Sequence, residues 1–112
     1  MFEELPSSWT ALTDESQLEP GQPLRRSAHG TGIMLVRHGG KMHALVDRCS
    51  HRGCSLSEGT VGADAVTCPC HGSRFALDDG RLLRGPATAP QPALEVRVRE
   101  GKVEVRKAGG SE

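Results

Sequence analysis

The chain has 112 residues, with 14 Lys and Arg balanced by 14 Asp and Glu, so its formal net charge is zero. This length suits a single domain, and the balance argues against a nucleic-acid partner held by bulk attraction. The three aromatic residues, Phe2, Trp9 and Phe75, leave a small and mostly aliphatic core, the kind that small domains supplement with a bound metal or cross-links.

No apolar run is long enough for a membrane span. The first residues, Met1 to Pro6, are acidic and lack the charged-then-apolar order of a secretory signal, and Arg25-Arg26 is followed by no apolar stretch of the twin-arginine kind. A cytoplasmic location is expected.

In chain order, Asp14–Leu18 has the composition of one helical turn, with Thr13 or Asp14 as its cap. Ile33–Val36 and Met42–Val46 flank His38-Gly39-Gly40 and predict a hairpin. Arg74–Leu77 and Arg81–Leu83 flank Asp78-Asp79-Gly80 and predict a second. In the last segment Leu94, Val96 and Val98 alternate with charged residues, as do Val103 and Val105, with Glu100-Gly101 at the turn. No segment sustains a helical period. Pattern and turn residues together predict an all-β, antiparallel sandwich with a smaller unit inserted at about residues 46–83. The domain is read as residues 1–107, and Ala108–Glu112 as a flexible tail.

Two short loops in the insert carry the chemistry. One reads Cys49-Ser50-His51-Arg52-Gly53-Cys54, the other Cys68-Pro69-Cys70-His71-Gly72-Ser73. Each offers a thiolate and an imidazole, and the 16 residues between His51 and Cys68 suffice for a hairpin that brings the loops together. Two sulfurs and two nitrogens suit a structural zinc ion, although zinc sites usually space cysteines and histidines as separate pairs. They also suit a two-iron centre in which two cysteines hold one iron and two histidines the other. Two disulfides with incidental histidines form a third reading. His29, His38 and His43 fit no ligand spacing and read as surface or sheet residues.

The two loops resemble those of the Rieske [2Fe–2S] family, whose pattern is C-x-H-x-G-C followed by C-P-C-H-G-S. The resemblance runs from about Leu5 to Arg106. It implies one [2Fe–2S] cluster per chain, with Cys49 and Cys68 on one iron and His51 and His71 on the other. It implies a Cys54–Cys70 disulfide between the loops, as in the disulfide-bearing branch, and a hydrogen bond from Ser73 to the cluster. It also matches Gly85–Pro92 to the family's proline loop, which covers the cluster from the side.

Two ferric irons, two sulfides and two thiolates sum to zero when both imidazoles are neutral, so one electron leaves a single negative charge. Reduction is therefore easier than for a four-cysteine cluster: Rieske centres lie at about −150 to +300 mV, against about −400 mV for the plant type. High-potential members add a tyrosine two residues after the serine, a position held here by Phe75 in a chain without tyrosine. The expected potential lies below that of the respiratory members and above that of ferredoxins lacking both hydroxyl donors. It should fall with pH in the alkaline range, where the outward imidazole N–H groups ionise.

Such a centre reads as a soluble, monomeric one-electron carrier, not an enzyme by itself. Its expected partners are a flavin-dependent reductase and a terminal oxygenase or similar redox enzyme. Oxygenase α subunits of this family need a much longer chain with a second iron site. Other readings are a small subunit of a larger oxidoreductase, a redox sensor using Cys54 and Cys70, and a zinc-stabilised binding module. Arg48, Arg52, Arg74, Arg81 and Arg84 surround the loops while Glu3, Glu4, Asp14, Glu15 and Glu19 lie before Leu24, which predicts a basic cluster end that docks on an acidic face.

Overall fold

The residues Ile33-Met34-Leu35-Val36 are β-branched or long and apolar without interruption, which suits a strand buried on both faces. In the computed structural model all four are fully buried. The structure describes residues 9–48, 54–70, 72–85 and 90–107. Among them the strands are β1 (Thr10–Asp14), β2 (Leu24–Ala28), β3 (Thr31–His38), β4 (Lys41–Val46), β5 (Thr60–Gly62), β6 (Ala65–Thr67), β7 (Arg74–Ala76), β8 (Leu82–Arg84), β9 (Ala93–Arg99) and β10 (Lys102–Lys107). Every strand pairing is antiparallel.

One sheet has six strands in the order β1-β10-β9-β4-β3-β2, the other four in the order β5-β6-β7-β8. The edge strands β1 and β2 of the larger sheet touch each other, so that sheet curls around its own core. The smaller sheet lies wholly between β4 and β9 in sequence. The expected all-β, antiparallel architecture with an inserted unit is what forms.

The alternation of β3 divides the interior in two. Ile33 and Leu35 point into the core of the large sheet with Leu18, Ala28, Ala44, Leu94, Val103 and Val105. Met34 and Val36 point the other way, with Leu45, Leu56, Val66, Cys68, Phe75 and Leu77, and weld the small sheet to the large one. Each fully buried aliphatic side chain contributes about 1.5–3 kcal/mol by leaving water. The β3–β4 hairpin is thus a wall shared by both cores.

The predicted turns form as two-residue connections. Gly39 and Gly40 both have positive φ (63° and 78°) between the paired residues His38 and Lys41, the geometry that matches strand twist. Glu100 and Gly101 do the same between Arg99 and Lys102. The hairpin across Asp78-Asp79-Gly80 also forms, pairing Phe75 with Leu82.

The helical turn is shorter than expected, a 3-10 turn over Glu15–Gln17, and Asp14 does not cap it with its side chain. The Asp14 carboxylate instead accepts a bond from Lys102, its cross-strand neighbour in β10. An opposite charge directly across a strand pair competes with the cap and wins.

Candidate metal centre

β4 ends at Val46, and the chain then leaves the large sheet through Asp47 and Arg48. It comes back to antiparallel register where Ser55 bridges Arg48. The Asp47 carboxylate is buried and accepts bonds from the Ser57 backbone N–H (2.6 Å) and the Ser57 hydroxyl (3.0 Å). The Leu56 N–H donates to the Asp47 carbonyl (2.6 Å). This neck therefore has a fixed shape on both sides of the Cys49–Gly53 segment.

The second loop leaves β6 at Cys68 and enters β7 at Arg74. The Cys68 N–H donates to the Ser73 carbonyl at 2.8 Å and the Gly72 N–H to the Cys68 carbonyl at 3.2 Å, closing the loop on itself. Cys54 and Cys70 form a disulfide with a Cα–Cα distance of 6.5 Å, which ties the two loops together. Cys68 remains a free, buried thiol. The pairing implied by the resemblance is the one that forms, and it leaves Cys68 available as a ligand.

Ser73 is fully buried. Gly85 lies against it so closely that a Cβ there would sit 2.5 Å from the Ser73 Cα and 2.9 Å from its Oγ. The start of the expected proline loop is therefore pressed on the serine, which only a residue without a side chain permits. Phe75 is also fully buried, in the same core as Cys68. It does ordinary packing work at the position where a tyrosine would have offered a hydroxyl.

Of the four expected ligands the structure places Cys68. Cys49, His51 and His71 lie outside the described residues, as do Arg52, Pro86–Ala89 and the 108–112 tail. What is placed fits a cluster: a free buried thiol, a serine packed behind it, and a disulfide that removes the two other cysteines from competition. Among the described residues no group of three or more His, Cys, Asp or Glu side chains is arranged to hold a metal ion.

The remaining histidines lie elsewhere. His29 sits exposed in the β2–β3 turn with φ of 52°. His38 Nε2 lies 3.0 Å from Asp64 Oδ1. His43 is half-buried, and desolvation, with a smaller contribution from His38, holds its pKa below the usual value. Both face a cavity of about 500 Å³ with Lys41, Asp64, Asp78 and Arg81. This cavity sits at the ends of β6 and β7 that point away from the cysteine loops.

Of the expected charge dipole, Glu3, Glu4 and Arg52 lie outside the described residues, and among the others it is only partly realised. Arg48 and Arg84 are exposed beside the loops. Arg81, however, pairs with Asp78 and Asp79, and Arg74 folds back toward the Gly62 carbonyl (3.4 Å). On the large sheet Asp14 and Glu15 are compensated by Lys102 and Arg37.

Sequence reading missed three residues that shape the site. Asp47 is one. Gln91 is another: fully buried, it donates from Nε2 to the carbonyls of Val46 (2.7 Å) and Arg48, while its N–H donates to Gly80 (2.8 Å). Arg25, from β2, is the third. Their side-chain partners lie from 10 to 45 residues away in sequence, so no local pattern announces them.

A family model, the Rieske [2Fe–2S] domain, matches residues 8–106. The chain belongs to that family, whose members carry one [2Fe–2S] cluster per domain. It is 37% identical over 98 residues to ferredoxin CarAc of Metapseudomonas resinovorans, covering 87% of this chain and 92% of that protein. It is 43% identical over 72 residues to the 3-phenylpropionate/cinnamic acid dioxygenase ferredoxin subunit of Escherichia coli K12, covering 63% and 68%. Among solved structures, a chain in the complex of reduced oxygenase and oxidised ferredoxin in carbazole 1,9a-dioxygenase superposes with a TM-score of 0.82 at 35% identity, covering 89% of this chain and 94% of that one.

Proposed function

We propose that this protein is a one-electron carrier that takes electrons from a flavin-dependent reductase and delivers them to a terminal oxygenase. Cys49 and Cys68 bind one iron of its cluster and His51 and His71 the other, and Ser73 donates a hydrogen bond to the cluster. The bound cluster supplies reversible one-electron chemistry. The chain supplies the rest. The Cys54–Cys70 disulfide and the neck at Asp47 fix the two loops against each other, so a change of charge is met by little movement. The packing of Met34, Val36, Leu45 and Phe75 keeps water from the Cys68 side. Arg48 and Arg84 give the loop end a positive rim that suits an acidic partner face. The carrier works as a monomer in the cytoplasm and has no substrate site of its own. Its functional unit is the 1–107 domain with the 46–83 insert at its working end.

The observation that carries this reading is the free, buried Cys68 left between the disulfide and Ser73, in a chain whose two loops otherwise supply one Cys and two His. The relatives named as ferredoxins, one of them the ferredoxin subunit of a dioxygenase, support it. Reconstituted protein should hold two irons and two sulfides per chain and take up one electron from dithionite, with a rhombic EPR signal in the reduced form. Cys68→Ser should lose the metal. Zinc in place of iron, or a colourless protein after anaerobic reconstitution, would refute the proposal.

A further inference from the structure

Arg25 projects from β2, an edge strand of the large sheet, yet its guanidinium ends at the neck of the first cysteine loop. Nη1 donates to Asp47 Oδ2 at 3.2 Å and to Ser55 Oγ at 3.0 Å. Asp47 is where the chain leaves the large sheet, and Ser55 is where it returns. One guanidinium therefore holds both ends of the segment containing Cys49 and His51. The route to that point crosses Gly32 on the neighbouring strand, where a Cβ would lie 2.8 Å from Arg25 Nη2. Gly32 has no positive φ to explain a glycine; what its missing side chain does is leave room for Arg25. The Asp47 N–H donates to the Gly32 carbonyl (2.9 Å), so glycine, arginine and aspartate form one unit.

We propose that Arg25 is a positioning residue for the electron-transfer centre: it clamps the neck of the first loop through Asp47 and Ser55, and its charge offsets the buried Asp47 carboxylate. The inference rests on the ligand set proposed above. The charge matters because Asp47 lies two residues before Cys49, within about 7 Å along the chain. A lone carboxylate there opposes adding an electron, whereas a paired one is nearly neutral at that distance.

The pairing gives effects of opposite sign. Arg25→Gln leaves Asp47 unpaired and should lower the reduced-to-oxidised ratio at a fixed solution potential by about fivefold. Asp47→Asn leaves Arg25 unpaired and should raise it. Combining the two should return the ratio toward that of the parent, and Arg25→Lys, which keeps the charge but not the fork, should fall between parent and Arg25→Gln. Gly32→Ala displaces the guanidinium without altering either charge and should shift the ratio the way Arg25→Gln does. It remains informative should Arg25→Gln fold poorly.

A second readout is free of the cluster. In the metal-free, disulfide-intact chain, Arg25→Gln should speed amide exchange at Leu56 and Ser57 by about fivefold. Equal potentials in parent, Arg25→Gln and Gly32→Ala would overturn the proposal, as would shifts of the same sign in Arg25→Gln and Asp47→Asn. Unchanged exchange at Leu56 and Ser57 would also overturn it. A parent chain that takes up no iron or sulfide sinks the cluster reading instead, and the exchange result then judges the clamp on its own.

Discussion

The two sheets hold themselves together by different means. The large sheet has strands of up to eight residues, tight two-residue turns and a core built from alternating side chains. Its outer charges compensate one another across the β9–β10 register, Arg97 with Glu104 and Arg106 with Glu95. Trp9 stacks on both of those arginines, 4.2 and 4.6 Å from ring centre to guanidinium carbon. The small sheet has strands of three residues each. Such strands bury too little surface to stand alone. It depends instead on the disulfide, on the buried amide of Gln91, on Asp47 and on the shared β3 wall. The sheet that carries the two cysteine loops is thus fixed by links between separate segments, while the large sheet is fixed by local pattern.

This difference can be broken most severely at the disulfide. Replacing Cys54 and Cys70 by Ser should cost about 3 kcal/mol, the chain-entropy value for closing a loop of this size. The loss should concentrate in β5–β8 and leave amide protection in β3, β9 and β10 largely intact. Equal loss in both sheets would show them to be one cooperative unit.

The next largest effect contrasts two glycines of similar backbone geometry. Gly80 has φ of 77°, and a Cβ there would meet the Gln91 carbonyl oxygen at 1.8 Å; Gly39 has φ of 63° and nothing within 4 Å. Gly80→Ala should destabilise by about 2–4 kcal/mol through strain plus displaced backbone. Gly39→Ala should cost about 1–2 kcal/mol through strain alone. Thermal unfolding of the two variants measures the difference directly.

Phe75→Tyr adds a hydroxyl inside the core that holds Cys68. A new hydrogen bond to sulfur should raise the midpoint potential by tens of mV, on the order of one net hydrogen bond, read by redox titration. An unchanged potential with lowered stability would show the hydroxyl to be buried without a partner.

The smallest effect sits at the joint between the sheets. The pKa of His43 is held down by burial and then by His38. A histidine depressed in the folded state takes up its proton more readily when unfolded, so its contribution is fully present above pH 6.5 and is lost as pH falls below that value. His43→Gln should flatten the acid side of the stability profile. A steeper acid limb in the variant would reverse the assignment.

The sequence carried the large sheet well where strands lie in its interior. Ile33–Val36 and the alternating valines of β9 and β10 announce themselves by period, and Gly39-Gly40 and Glu100-Gly101 by turn chemistry. The edge strands β1 and β2 do not, since their polar residues become strand only by pairing with β10 and β3. Strands β5 and β6 are too short to show a period, and Ala63-Asp64 turns between them with positive φ at both residues, a conformation that alanine in particular rarely adopts. Asp14 shows the opposite failure: the local signal for a cap was present, and a cross-strand lysine overrode it.

By itself the sequence determined the family and with it the [2Fe–2S] cofactor, because the motifs of two short loops are local properties of the chain. It also determined the antiparallel hairpins, because alternation and turn residues act over a few positions. Only the tertiary structure decided that Asp47 is buried at the neck of the first loop, that Gly85 presses on Ser73, and that Arg25 and Gln91 reach that neck. Those contacts join residues that are not neighbours in sequence, and they depend on how the two cores pack on β3.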